Sequence, residues 1–530
     1  MTSTPSPLLL LWCLLVCGSC TRPAGPAAGG AGQPASYREP HRPQFHFSPP
    51  AHWMNDPNGM VYAEGEYHLF YQHYPDSTVW GPMHWGHAVS TDLVRWEHLP
   101  IALYPDSLGY IFSGSAVVDQ TNSSGLGTKD RPPLVAIYTY HNEEAARAGR
   151  SDFQYQGLAY STDRGRNWTK YAGNPVLPNL RDQPDFRDPK VIWDTDRNRW
   201  VMALAARDRI ELWGSENLLD WTHLSDFGQS GEGDHTGVWE CPDLFPLQVE
   251  GNPGETKWVL LVSINAGGPN GGSATQYFIG DFDGQAFRLD PDFAPAVQDG
   301  QAVWIDYGRD NYAGVSWANV PEADGRRIFL GWMSNWQYAN VVPTHPWRSA
   351  MTVPRTLSLH PTPVGNRLFS RPVRELRELR SAAFPLVASG AIGQNPQEGT
   401  YEVLATFLPA ADATEPFGIE VGNDRGERYR VGYDPVRGKY FSDRTASGQT
   451  DFSTVFADTV SWAPRLVASD TVRMQLLVDV ASAELFADNG ATVMTKIFFP
   501  TERYTRVSTF GDAAQLVEGR VYALRRGLSR

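Results

Sequence analysis

STDLVRW (residues 90–96), STDRGRNW (161–168) and SENLLDW (215–221) share one pattern: a serine, an acidic or amide turn, and a closing tryptophan. GDFDGQAF (280–287) repeats it more loosely, with Phe287 as the aromatic. The copies begin 71, 54 and 65 residues apart. A turn closed by an aromatic at this spacing suits one β-propeller blade of four strands with long loops. The competing explanation is a set of chance hairpins in a β-sandwich. Between the copies run short apolar/polar alternations cut by Gly, Pro, Asn and Asp, such as MVYAEGEYHLFYQHY (60–74), LVAIYTY (134–140) and KWVLLVSIN (257–265). These read as strands, and long 3.6-residue periodicity is nearly absent. The spacing predicts an all-β chain with about five blades between residues 45 and 363.

The pattern breaks at RPVRELRELRSAAF (371–384), the one segment with helical spacing, which reads as a linker. Beyond it, TYEVLATFLP, FGIEVGN, YRVGYD and VRMQLLVDVASAELFADNG alternate with turn residues as strands of a β-sandwich do. The expected organisation is a five-bladed propeller over 43–365, a linker over 366–382 and a C-terminal β-sandwich over 383–530. At the other end LLLLWCLLV (8–16) has the length of a signal-peptide core and is too short to span a bilayer. It is not preceded by Lys or Arg. The run ends in CGSC, where Cys20 resembles a lipoprotein acceptor site. Residues 1–20 are thus an expected export signal, and the Pro/Gly/Ala-rich 21–42 an expected flexible tether. Any membrane association is expected only through an N-terminal lipid anchor.

Composition narrows the partners. The 530 residues carry a net charge of −14, and no Lys/Arg cluster stands out, so nucleic acid and anionic membranes are poor partners and neutral substrates are favoured. Three of the four cysteines fall in the export segment, leaving Cys241 alone, with no disulfide or cysteine metal site to build. Six histidines lie between His52 and His98, but no HExxH or carboxylate triad accompanies them, so no metal is expected. GGPNGGS (267–273) lacks the lysine of a phosphate loop and reads as a flexible loop. Asn122 and Asn167 stand in glycosylation-type triplets, a short motif of little weight.

Three acids stand in unusual settings: Asp56 in WMNDPNG (53–59), Asp188 in FRDP (186–189) and Glu240 in WECPD (239–243). Alone, an Asp before Pro is a turn or cap residue, and Arg187 with Asp188 is an ion pair. Glu240 between Trp239 and Cys241 is harder to dismiss, since an acid among apolar neighbours needs a reason. Together they fit glycoside cleavage through a covalent intermediate, which requires one ionised carboxylate and one protonated acid. On this reading Asn55 keeps Asp56 ionised, the apolar flanks raise the Glu240 pKa, and Arg187 holds Asp188 ionised for sugar hydroxyls.

WMNDPNG, FRDP and WECPD, in that order, resemble the signature of glycoside hydrolase family 32. FYQHYP (70–75), WGPMHWGHAVSTDLVRW (80–96), FSGSAV (112–117) and GWMSNWQYA (331–339) add to the likeness, which runs from about residue 43 to the C-terminus. The resemblance implies a five-bladed propeller with an appended sandwich and retaining hydrolysis of β-fructosides without a cofactor. It implies Asp56 as nucleophile, Asp188 as transition-state stabiliser and Glu240 as acid/base. It further implies that Trp53, Met54, Asn55, Gln72, Trp80, Phe112, Ser113, Arg187 and Trp332 line the fructose site. WECPD and the 331–357 stretch resemble most the exo-acting inulinase/levanase group, whose substrates are fructans and sucrose. Invertase and fructosyltransferase are the nearer alternatives, and a catalytically silent fructan-binding protein the one from another class. Linkage preference, exo against endo action and oligomeric state stay open at this point.

Overall fold

The computed structural model describes residues 37–386 and 399–527. The expected export signal, the acceptor reading of Cys20 and the tether as far as residue 36 lie outside the described residues. Four-stranded blades arise from His52–Leu103, Tyr110–Lys170, Phe186–Phe227, Val238–Leu289 and Tyr312–Pro372, each an antiparallel meander whose first strand is innermost. Trp347–Arg348 returns from blade five to pair in parallel with His52–Trp53, and Tyr62 N–H donates to Ala318 C=O, so blades one and five close the ring. Middle strands are buried on both faces between neighbouring blades, which is why Leu134–His141 is buried at every position.

The serine–tryptophan repeat is the turn from the third to the fourth strand of a blade. In blades one to three, Ser90, Ser161 and Ser215 bond Asp92, Asp163 and Asn217, whose side chains then cap backbone N–H groups of the turn. The closing indoles of Trp168 and Trp221 donate back to Gly165 and Leu218 carbonyls. Gly280–Phe287 occupies the same place in blade four. Blade five turns within Thr362–Gly365 instead and has no copy.

The sandwich packs a six-stranded sheet (380–385, 514–524, 401–409, 472–479, 482–487, 492–497) on a five-stranded one (461–464, 439–443, 428–434, 417–422, 506–510). Two expected boundaries move. Gly365–Pro372 is the outer strand of blade five, so the connection shrinks to Val373–Leu379, a 3-10 turn pinned by buried Leu376 and Leu379 rather than a free linker. The tether ends before Arg42, which is fully buried and donates to Ser48 Oγ and the Pro49 and Pro50 carbonyls between the rings of Tyr37 and Trp347.

Buried ion pairs join the two domains. Arg355 meets Asp306 at 2.9 Å and also Glu484, Arg444 meets Asp310 at 2.6 Å, and His46 lies 2.8 Å from both Asp479 and Glu484. Such fully desolvated groups hold geometry strictly, because losing one partner strands a buried charge.

Candidate active site

Every innermost strand carries a β-bulge near its N-terminal end, and all five bulges meet at one end of the propeller axis. The extra residues are Asp56 in blade one, Phe112–Ser113 in blade two, Asp188–Pro189 in blade three, Cys241–Pro242 beside Glu240 in blade four, and Ala313–Gly314 beside Tyr312 in blade five. A bulge re-aims a side chain out of the ladder. In three of the five a proline follows the bulged residue, and its missing N–H prevents the ladder from continuing. The Asp-Pro pairs are therefore strand bulges, not the turns or caps that their composition suggests. Asp188 and Cys241 sit at φ 66° and 46°, left-handed backbone that L residues adopt only where the surroundings enforce it.

The three acids are brought together. Ser113 Oγ donates to Asp56 Oδ2 at 3.0 Å, while Asp56 Oδ1 is buried without a partner. The Cys241 N–H donates to Asp188 Oδ2 at 3.0 Å, and its thiol lies 3.5 Å from Asp188 Oδ2 and 3.8 Å from Asp56 Oδ2. Cys241 thus bridges two carboxylates. Asp188 N–H is held by Thr139 Oγ1 at 2.9 Å. Glu240 accepts two bonds on Oε1 from Arg187, at 2.9 and 3.1 Å, and one on Oε2 from the Tyr312 hydroxyl.

The electrostatics follow from crowding one buried and two half-buried acids around one arginine. Burial, then the charge of Asp188, pushes the Asp56 carboxyl up to about 6, against the neighbouring polar side chain of Asn55 and the hydrogen bond from Ser113. Burial pushes Glu240 up to about 7; Arg187 opposes this, and Asp188 and Asp56 reinforce it. Burial also raises Asp188, opposed by Arg187 and the Cys241 N–H. Two sequence-based explanations need correction. Arg187 does not bond Asp188; its guanidinium spans Glu240, Asp185 (2.6 Å) and Gln154 (3.3 Å), acting on Asp188 only through its field. Trp239 does not pack on Glu240 but turns into the blade-four core, stacked on His235 and donating to Asp234 C=O.

The remaining expected residues divide. Asn55 and Gln72 face each other across the first two strands, and Gln72 Nε2 is buried and unpartnered. Trp53 is fully buried and donates to Asn55 Oδ1 at 2.7 Å, so it orients Asn55. Met54 points to the other side of the strand from Trp53 and Asn55 by strand alternation and is fully buried in the apolar core. Trp80, 37% exposed, stands edge-on to Phe112, which stacks on His141 at 4.3 Å. Trp332 is fully buried against Trp53, Trp336 and Tyr312, with its indole N–H unpartnered, so it does not present an open ring face. Sequence reasoning missed Tyr312, Asp185, Gln154 and the bridging part of Cys241. The Cys-Pro pair was a legible signal for the last; an isolated tyrosine in NYAGVS offered none.

Of the six histidines between His52 and His98, His68 Nδ1 meets His87 Nε2 at 3.0 Å and His73 bonds the Trp53 carbonyl. Among the described residues, Glu211, His223 and Asp226 on blade three have metal-ligand spacing, but Arg209 already bonds Glu211 at 2.6 Å.

A pair of half-buried carboxylates with raised pKa values, one backed by an arginine and a tyrosine, is the equipment of a glycoside hydrolase. The chain belongs to glycoside hydrolase family 32. The model for the family's N-terminal domain matches residues 46–372, and that for its C-terminal domain matches 375–523. It is 50% identical over 475 residues to a levanase of Bacillus subtilis (strain 168), covering 88% of this chain and 67% of that protein. It spans 52% of a second levanase, from Bacillus sp. (strain L7), at 41% identity. An extracellular exo-inulinase of Aspergillus ficuum is 38% identical over 524 residues, with 92% and 95% covered. The crystal structure of exo-inulinase from Aspergillus awamori superposes with a TM-score of 0.83 at 35% identity, covering 93% of this chain and all of that one.

Proposed function

We propose that this chain is a retaining, exo-acting β-fructosidase that releases terminal fructose from fructans and sucrose. The observation that carries the reading is the unpartnered Oδ1 of Asp56 within electrostatic reach of Glu240, whose pKa is pushed up to about 7. Near pH 6.5 Asp56 is largely ionised and Glu240 largely protonated, the division of labour that cleavage through a covalent intermediate requires. Glu240 gives its proton to the glycosidic oxygen as Asp56 Oδ1 attacks the anomeric carbon, so the leaving sugar departs as an alcohol. The ionised Glu240 then takes a proton from water, which attacks the same carbon, frees Asp56 and releases fructose. Asp188 accepts hydrogen bonds from the ring hydroxyls, and Gln72, Asn55 and the Trp332 indole supply donors. No step calls for a metal or cofactor.

The levanase, exo-inulinase and invertase names of the relatives support the fructan and sucrose assignment, and the extracellular exo-inulinases support the reading of residues 1–20 as an export signal. Incubation of the protein and its Asp56→Ala variant with inulin, levan and sucrose tests it, with products resolved over time. Fructose alone from the start, absent with the variant, is the expected result. An oligosaccharide ladder overturns exo action, and no product from any substrate overturns the enzyme reading in favour of a binding protein.

A further inference from the structure

The glycine-rich segment GGPNGGS (267–273) and the loop Asn335–Asn340 together form one wall beside the site, and both rest on a single side chain. Arg309 is buried, 4% exposed. Its Nη1 donates to Val455 C=O and Asp458 Oδ1 of the sandwich, each at 2.7 Å, and its Nη2 to Gln337 Oε1 at 2.9 Å. Its own carbonyl accepts from Asn335 Nδ2 at 2.7 Å. A Cβ on Gly271 would stand 3.2 Å from Arg309 Nη2, and one on Gly272 would lie 2.3 Å from Asn335 Oδ1, so the segment lies directly on these two residues. With φ of 91° and 80° at those glycines, only glycine combines the backbone with the close approach.

What the wall carries gives this its consequence. Trp336 N–H bonds Ser273 Oγ, and its ring stacks on Trp53, the residue that orients Asn55 beside Asp56. Asn340 Oδ1 accepts from the backbone N–H of Trp80, the exposed aromatic at the mouth. The sandwich grips the same region from its other side, since Asn270 exchanges hydrogen bonds with the Trp462 backbone in both directions. Four glycines in seven residues are costly to order, so the segment keeps one shape only while these anchors hold.

We propose that Arg309 is a positioning residue through which the β-sandwich sets the substrate-facing wall of the propeller, with Asp458 as its anchor. The sandwich then acts on substrate affinity without touching the reacting atoms. This rests on the proposed function for its kinetic consequence but not for its structural one. Asp458→Asn, at a side chain 41% exposed, and Arg309→Gln are compared with Arg326→Gln, which breaks an ion pair with Asp324 and Glu375 at the propeller edge. The expected result is KM for inulin and sucrose raised about five-fold or more, with kcat held within about two-fold, in both wall variants and not in Arg326→Gln. Arg309→Lys, which keeps the charge but not the fork, falls between. Wild-type KM in both wall variants, or loss of kcat that only tracks loss of folded protein, overturns the proposal. Hydrogen exchange of residues 265–273 and 335–340 is read on the same proteins whether or not they hydrolyse anything. Faster exchange confined to those peptides supports the proposal, and unchanged exchange overturns it. A wild type inert on every substrate refutes the proposed function alone.

Discussion

The hydroxyl of Tyr312 donates to Oε2 of Glu240, while Arg187 holds Oε1 of the same carboxylate. Both partners favour the ionised acid, so they limit how far burial can raise its pKa. Tyr312→Phe removes one donor and leaves the packing against Trp332. Its expected effects are a basic limb of the pH–kcat/KM profile shifted upward and a fall in kcat of roughly 10-fold, from poorer aim and weaker support of the departing charge. An unmoved basic limb removes Tyr312 from the acid/base apparatus.

Asp56 at about 6 and Glu240 at about 7 define the pH profile of the free enzyme. Activity needs Asp56 ionised, which is lost as pH falls through about 6, and Glu240 protonated, which is lost as pH rises through about 7. A narrow bell with its optimum between those values is expected in kcat/KM, reporting the pair rather than either residue alone. A plateau extending above pH 9 contradicts it.

The propeller was legible because Ser90, Ser161 and Ser215 each start a side-chain-capped turn closed by an aromatic, a local device with a local signature whose spacing set the blade count. The two-domain order was legible from the break in that pattern after blade five. The acids were legible as candidates, but their geometry was not. Asp56-Pro57 and Asp188-Pro189 read as turns because the same chemistry that ends a strand also bulges one, and only the neighbouring strands decide which occurs. Arg187 was assigned to its sequence neighbour Asp188, whereas its guanidinium reaches Glu240 on the next blade. Tyr312 and Arg309 act through contacts with residues 72 and 149 positions away, which no local pattern encodes.

His46 gives stability its own pH dependence. Burial alone would lower its pKa, but hydrogen bonds and charges from Asp479 and Glu484 outweigh that and push it up to about 9. Because the folded value exceeds the unfolded one, the stabilisation is complete below about 6.5 and is lost as pH rises through about 9. Linkage puts it at about 3 kcal/mol. Melting temperature followed from pH 6 to 10 should fall more steeply for the wild type than for His46→Gln, which starts lower. Parallel curves exclude a charged His46.

Cys241 is buried, and its thiol pKa is raised well above the ordinary value by burial and then by the charges of Asp188 and Asp56. It should resist alkylation by iodoacetamide in the native protein and react on denaturation, as mass spectrometry of its peptide would record. Cys241→Ala keeps the N–H bond to Asp188 and loses the thiol bridge, so a several-fold loss of kcat with little change in KM is expected. Rapid native alkylation contradicts the buried, protonated thiol.

The central claim is a fructosyl ester on Asp56 formed and broken with the help of Glu240. Its most direct test is the Glu240→Gln variant given a fructosyl donor with an activated leaving group, which needs no acid to depart, followed by quenching and peptide mapping. The account predicts one fructosyl unit attached at Asp56, accumulating because no base activates water to remove it. Turnover without any adduct, or an adduct on a residue other than Asp56, would contradict it.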